Sequence, residues 1–232
     1  MHQYSGRDLE AMASARNYHQ WLLAEFLPYI RGSVAEVGAG KGDISRLLLD
    51  TNLKSLTAFE PSGNLFPQLS DAIGPDNRVR AINGPFEKGK ASECFDSILY
   101  INVLEHIEDD AGELAISNTA LAPGGHLLIF VPALPWLYSE LDRQVGHFRR
   151  YTKNNLVALA RQAGFSIVKA RYFDIAGVIP WYVHFTLLKN TISAGNVSLY
   201  DRLAVPVMRR IEGILPPPTG KNVLLVARKT HS

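Results

Sequence analysis

The chain has 232 residues, 47% hydrophobic and 20% charged, a balance that supports one large α/β domain with a full core and excludes a disordered polymer. A net charge of +2 is too small to mark nucleic acid as the main partner. Cys94 is the single cysteine, which excludes a disulfide framework and a cysteine-based metal cluster. The first residues lack the basic start and apolar core of a secretory signal, and the longest apolar run, residues 175–188, falls short of the roughly 20 residues that span a bilayer. A cytoplasmic location is the expectation.

Residues 9–30 carry Met12, Tyr18, Trp21, Leu22, Phe26 and Tyr29 at helical spacing, closed by Pro28 and Gly32. Strand and helix patterns then alternate. "SVAEVGA" reads as a strand, "GDISRLLLD" as a helix, "SLTAFEP" as a strand, "GNLFPQLSDAIG" as a helix and "RVRAING" as a strand. "FDSILYINVLEH" is a strand with its loop, "DAGELAISNTAL" a helix, Pro123-Gly124-Gly125 a turn and "HLLIFVPA" a strand. "TKNNLVALARQAGF" is a helix with Thr152 as its N-cap, followed by the strands "SIVKARYF" and "KNVLLVARK". Short alternation of this kind predicts right-handed βαβ units, a parallel sheet and helices on both faces. Residues 174–215 form an insertion between the last two strands, rich in aromatics and then amphipathic, where a substrate-covering cap would sit.

In "VAEVGAGKGDIS" glycines stand at Gly38, Gly40 and Gly42, between a strand and a helix. Ligands of open parallel sheets bind beyond the carboxyl ends of strands, and bare glycines let a ligand lie against backbone N–H groups. The third glycine comes one position too early for the G-x-G-x-x-G dinucleotide fingerprint, and Asp43 occupies that fingerprint's last position. A carboxylate at a helix N-terminus repels pyrophosphate, which weighs against a nicotinamide-dependent oxidoreductase. Glu60 ends the second strand, where a carboxylate can accept from both ribose hydroxyls. Glu36 lies inside the first strand, so its charge needs a partner: loop N–H groups, a salt bridge or a ligand's ammonium.

These residues resemble the class I S-adenosylmethionine-dependent methyltransferases. "VAEVGAGKGDIS", "AFEPS", "FDSILYINVLEHIED" and "LAPGGHLLIFVPA" follow the family's order between about residues 34 and 133. The resemblance implies a Rossmann-like, seven-stranded, mostly parallel sheet with helices on both faces, the last strand antiparallel and a helical cap insertion. It implies one domain, with a lid at 1–32, a cofactor-binding core at 33–172, a cap at 173–218 and a final strand at 219–232. Carried over by position, Glu36, Gly38, Gly40 and Gly42 would lie along the methionine and ribose of S-adenosyl-L-methionine. Glu60 would take the ribose, Pro61 and Ser62 would lie by the adenine with Asn83, Gly84 or Phe86 near its amine, and Asn102, Val103 and Leu104 would flank the sulfonium. The product is S-adenosyl-L-homocysteine.

Methyl transfer is an in-line displacement in which positioning supplies much of the rate, and a base is needed only for a protic acceptor. His147, with Asp142 to orient it, is the leading base; His106 is the second candidate, or else a packing residue. Tyr138, Arg149 and Arg150 in "YSELDRQVGHFRRYT", with Trp181 in the insertion, are the candidate acceptor contacts, the arginines suiting an acidic group. No metal is expected. The reading is methyl transfer to a small, apolar or aromatic acceptor, with no nucleic-acid partner. The apolar insertion would also suit a homodimer face or a shallow membrane contact. An RNA or protein methyltransferase and a cofactor-binding scaffold without turnover are the alternatives.

Overall fold

The computed structural model describes residues 15–87, 94–188 and 194–230; the start of the expected N-terminal helix lies outside them. Its centre is β1 (Ser33–Val37), buried from Val34 onward. Around β1 the strands β2 (Ser55–Glu60), β3 (Val79–Asn83), β4 (Phe95–Ile101), β5 (Leu121–Pro132), β6 (Phe165–Phe173) and β7 (Asn222–Lys229) form one sheet. The strand order is β3-β2-β1-β4-β5-β7-β6. The β1, β2, β3, β4 and β5 pairings are parallel, and β7 runs antiparallel to both β5 and β6. The mostly parallel sheet ending in an antiparallel strand is therefore as expected.

Successive side chains of a strand point to opposite faces, and the strands here are apolar on both. Ala35, Ile98, Ile129 and Leu225 belong to one buried cluster, joined by Leu114 of α4 (Asp110–Ala120) and Leu156 and Ala160 of α6 (Lys153–Gln162). Val34, Leu99, Leu128 and Leu224 belong to the other, joined by Leu48 of α2 (Asp43–Leu49) and by Trp21, Leu22 and Phe26 of α1 (Arg16–Phe26). The helical spacing of those three side chains sets α1 on the sheet, where Tyr18 and Trp21 meet Phe173 edge-on and tilted at 5.6 and 3.9 Å. α3 (Phe66–Ile73) completes the β2-β3 crossover.

Caps follow the side chains available. The Asp109 carboxylate accepts from the Gly112 N–H at 2.9 Å to start α4, and Thr152 Oγ1 accepts from the Asn155 N–H at 3.1 Å to start α6. One expectation is corrected. Pro123-Gly124-Gly125 is an irregularity inside β5 rather than a turn before it: Leu121 already pairs with Phe95, and the register shifts before His126 meets Ser97. Gly124 supplies the left-handed residue (φ +74°) that the bulge requires. Its carbonyl accepts from Arg31 and Arg228.

Between β5 and β6 lies α5 (Glu140–Gln144), started by a reciprocal cap between Ser139 and Asp142. The insertion after β6 contains α7 (Val178–Trp181), a π-helical stretch (Tyr182–Leu187) and α8 (Ala194–Ile214). Buried Glu212 ties α8 to β6, accepting from Arg171 at 2.9 Å and from the Ile175 N–H at 2.9 Å. No described helix is long and apolar enough to cross a membrane.

Candidate active site

The chain turns from β3 back across β1 to β4, so the strand order reverses at the β1–β4 junction. A cavity of about 950 Å³ opens there, beyond the carboxyl ends of β1, β2 and β4. This is where side chains from loops of opposite direction can converge around a ligand.

The glycine loop forms one wall. Gly38, Gly40 and Gly42 all have positive φ (+68°, +58° and +86°), which side-chain-bearing residues adopt at a cost. A Cβ on Gly38 would lie 2.5 Å from Val103 Cγ2, so the close approach there is between two loops of the protein. Gly38 and Gly40 line the cavity, and Gly42 does not. Its bareness admits α3, whose Ala72 and Leu69 side chains would stand 3.0 and 3.1 Å from an added Cβ.

Two carboxylates face this wall. Glu60 is buried and accepts from the Gly40 N–H through Oε2 and from the Ser62 N–H through Oε1, both at 2.8 Å. Each oxygen keeps a second acceptor position. Glu36 accepts from Ser45 Oγ at 2.5 Å. Burial pushes its pKa up to about 8, with Asp43 and Glu60 adding to the rise against the Ser45 hydrogen bond. Pro61, Gly84, Asn102 and Val103 also line the cavity. Asn102 holds a positive φ of 52° while its N–H donates to Phe130 O, an uncommon backbone state for a residue with a side chain. Asn83 and Leu104 stand outside. Asn83 Nδ2 donates to Glu60 O at 3.0 Å, and Leu104 O accepts from the Tyr151 hydroxyl.

The opposite wall carries His147, His106, Asp142, Glu105, Arg150 and Trp181. Asp142 is fully buried and receives five hydrogen bonds. His147 Nδ1 lies 2.9 Å from Oδ1, Arg150 gives Nε and Nη2 at 2.8 and 3.0 Å, and the Ser139 N–H and hydroxyl each reach Oδ2 at 2.8 Å. Burial would raise this carboxyl, but the hydrogen bonds and the Arg150 charge hold it down to about 2. His147 Nε2 points instead toward Glu105, 3.8 Å from Oε1. Both Glu105 oxygens are buried without a hydrogen-bond partner among the described residues, and burial raises this carboxyl to about 7 against the charges of His147 and Arg150. The His106 ring stands edge-on to His147, 4.6 Å between centroids. Glu105, His106 and His147 each bring one ligand atom within 4.8 Å of the others, a spacing that also suits a divalent ion.

The expected arginine clamp takes another form. Arg150 is neutralised by Asp142, donates to Ala133 O and stacks 4.7 Å from the Trp181 ring. Arg149 lies outside the cavity, paired with Asp110 at 2.9 Å. Tyr138 also lies outside and donates to His147 O at 2.6 Å, holding the loop. Lys221 and Asn222, at the head of β7, line the cavity although nothing in their neighbourhood of sequence marks them. Lys221 Nζ pairs with Asp174 Oδ2 at 3.1 Å and sits over the Tyr18 and Trp181 rings.

A reversing parallel sheet, a left-handed glycine loop flanked by carboxylates and a buried acid–base pair define a doubly wound α/β protein with a nucleoside-sized site. Residues 3–170 match the family described as a methyltransferase domain. The chain belongs to that family and is a class I S-adenosylmethionine-dependent methyltransferase. A curated relative, the tRNA U34 carboxymethyltransferase of Nautilia profundicola, is 25% identical over 215 residues, covering 87% of this chain and 68% of that protein. A complex of the Haloferax volcanii Trm112 methyltransferase activator with a methyltransferase contains a chain similar in fold (TM-score 0.70, 16% identity, 98% of this chain and 95% of that one). So does the N-methyltransferase NodS of Bradyrhizobium japonicum with S-adenosyl-l-homocysteine (TM-score 0.60, 15% identity, 93% and 87%).

Proposed function

We propose that this methyltransferase transfers the methyl group of S-adenosyl-L-methionine to a protic small molecule, with His147 as the base. The observation that carries the reading is the buried chain Arg150–Asp142–His147, whose imidazole lines the same cavity as the glycine loop.

The residues fit the cofactor. Glu60 has acceptor positions left for two ribose hydroxyls, and Gly38 and Gly40 leave the backbone bare beneath the chain that joins ribose to methionine. Protonated Glu36 has the one chemistry that an arriving ammonium corrects: ionised beside a cation, it is no longer an unpaired buried charge. Pro61 and Gly84 would bound the adenine, with Asn102 and Val103 beside the sulfonium. The cofactor supplies an electrophilic methyl carbon, and the protein's work is alignment and proton removal. Asp142 holds Nδ1 of His147 in place, which leaves Nε2 as the atom that accepts the acceptor's proton. Buried Glu105 stabilises the resulting imidazolium from 3.8 Å. Trp181, Val145, Phe148 and Leu141 give the acceptor an apolar bed.

A small acceptor is favoured over RNA by the cavity, whose lining as a whole is mostly apolar, and by the near-neutral net charge. The likeness to a tRNA-modifying enzyme makes RNA the second reading. S-adenosylhomocysteine titration followed by an acceptor screen separates the two. In that screen His147→Ala is expected to keep cofactor binding and lower turnover about 10²–10⁴-fold. Unchanged turnover would remove His147 from the chemistry, and loss of wild-type turnover to a chelator would reassign His147, His106 and Glu105 to a metal.

A further inference from the structure

The outer side of α8 carries a run of exposed aliphatic side chains. Leu199, Leu203, Val207, Ile211 and Ile214 recur at intervals of four, four, four and three, and Leu215 follows. Successive members of that series fall within an arc of a helix turning about 100° per residue, so they form one stripe. All six are exposed, from 50% at Ile211 to 85% at Ile214. Single exposed leucines need no explanation, but five on one helix with a sixth just beyond its end do.

Charge is segregated on the same helix. Its two acids, Asp201 and Glu212, are turned inward and buried, the first accepting from the Asn17 and Tyr18 N–H groups and the second from Arg171. Arg202, Arg209 and Arg210 are exposed, and none pairs with a carboxylate among the described residues. The outer face is thus apolar and cationic with no anion of its own. Beside it a cavity of about 460 Å³ is lined by Arg209, Arg210, Pro206, Gly213 and Ile214 of α8 and by Asn17. It places two guanidinium groups over an apolar floor, the arrangement that accepts a phosphate attached to something greasy.

We propose that α8 lies along an anionic bilayer surface, its aliphatic stripe in the boundary between headgroups and acyl chains and Arg202, Arg209 and Arg210 against lipid phosphates. Aliphatic residues on one arc with arginines beside them are the pattern of helices that rest in that plane. A second copy of the chain fits less well: a two-fold contact through this face sets the same three arginines against their equivalents with no acid to pair. The inference rests on the surface of α8 alone and stands independently of the acceptor assigned above.

The test is flotation of the full chain with phosphatidylcholine vesicles, with and without phosphatidylglycerol, at low and high salt. The wild type is expected to float with the anionic vesicles and to be released by salt. Arg209→Gln/Arg210→Gln should weaken that partition about thirtyfold, and Leu203→Glu/Ile211→Glu should abolish it. Both variants alter only exposed side chains, and unchanged S-adenosylhomocysteine binding verifies their fold. Three results would overturn the proposal: a wild type that stays with the buffer over both vesicle types, variants that both float as fully as the wild type, or light scattering that finds a wild-type dimer which Leu203→Glu dissolves.

Discussion

At neutral pH, binding of S-adenosylhomocysteine should expel a proton, and Glu36 should be its source. The carboxyl is buried, and its pKa is raised from 4.5 to about 8. At pH 7 about nine molecules in ten therefore carry the proton. The ligand's ammonium favours the ionised form, and complete ionisation on binding releases about 0.9 proton per site. Calorimetric titration in two buffers of different ionisation enthalpy measures that number directly. Glu36→Gln, which keeps the Ser45 contact and cannot ionise, should bind with almost no release. The same raised pKa costs the free protein stability. A carboxyl with a higher pKa folded than unfolded binds more protons in the native state, so stability falls as pH rises from about 4.5 to 8, by up to about 5 kcal/mol for this one group. Glu36→Gln should flatten that slope. Binding without proton release in the wild type, or equal release from the variant, would refute the placement of the ammonium beside Glu36.

Glu60→Ala should weaken S-adenosylhomocysteine binding by roughly 1.5–3 kcal/mol, since it removes charge-assisted acceptors for the ribose and frees the Gly40 and Ser62 N–H groups that it fastens; calorimetry reads the change. Asp142→Ala leaves the Arg150 guanidinium buried without its partner, and the expected cost is about 3–5 kcal/mol, a melting temperature lower by roughly 6–20 °C. With its pKa held at about 2, ionised Asp142 contributes about 2 kcal/mol at pH values above its unfolded pKa near 3.8 and loses it as pH falls toward 2. Melts of the two proteins at pH 7 and pH 3 check both statements.

Most of the fold was legible because its signals are local. Alternating apolar runs mark each strand, Gly42 and Thr152 mark helix starts, and the spacing of Trp21, Leu22 and Phe26 marks the buried stripe of α1. The glycine loop and Glu60 were legible for the same reason: a strand–turn–helix and the strand after it form within one short stretch of chain. Pro123-Gly124-Gly125 was misread because a bulge and a turn use the same residues, and only the pairing of Leu121 with Phe95 separates them.

What the tertiary structure alone decided is partnership. Asp142 and Arg150 both stood out as polar residues in one loop, but that they pair with each other depends on the path of the loop through α5. Gly42 and Asn83, assigned to the ligand by position, stand outside the cavity, Gly42 against Leu69 and Ala72 and Asn83 donating to Glu60 O. Lys221 and Asn222 enter the cavity because β7 is inserted between β5 and β6, a strand order that no local pattern encodes. The inward turn of Asp201 and Glu212, which leaves α8 apolar and cationic outside, is of the same kind. Periodicity along a chain specifies which residues share a face; which group meets which across the sheet is set by the packing of whole elements.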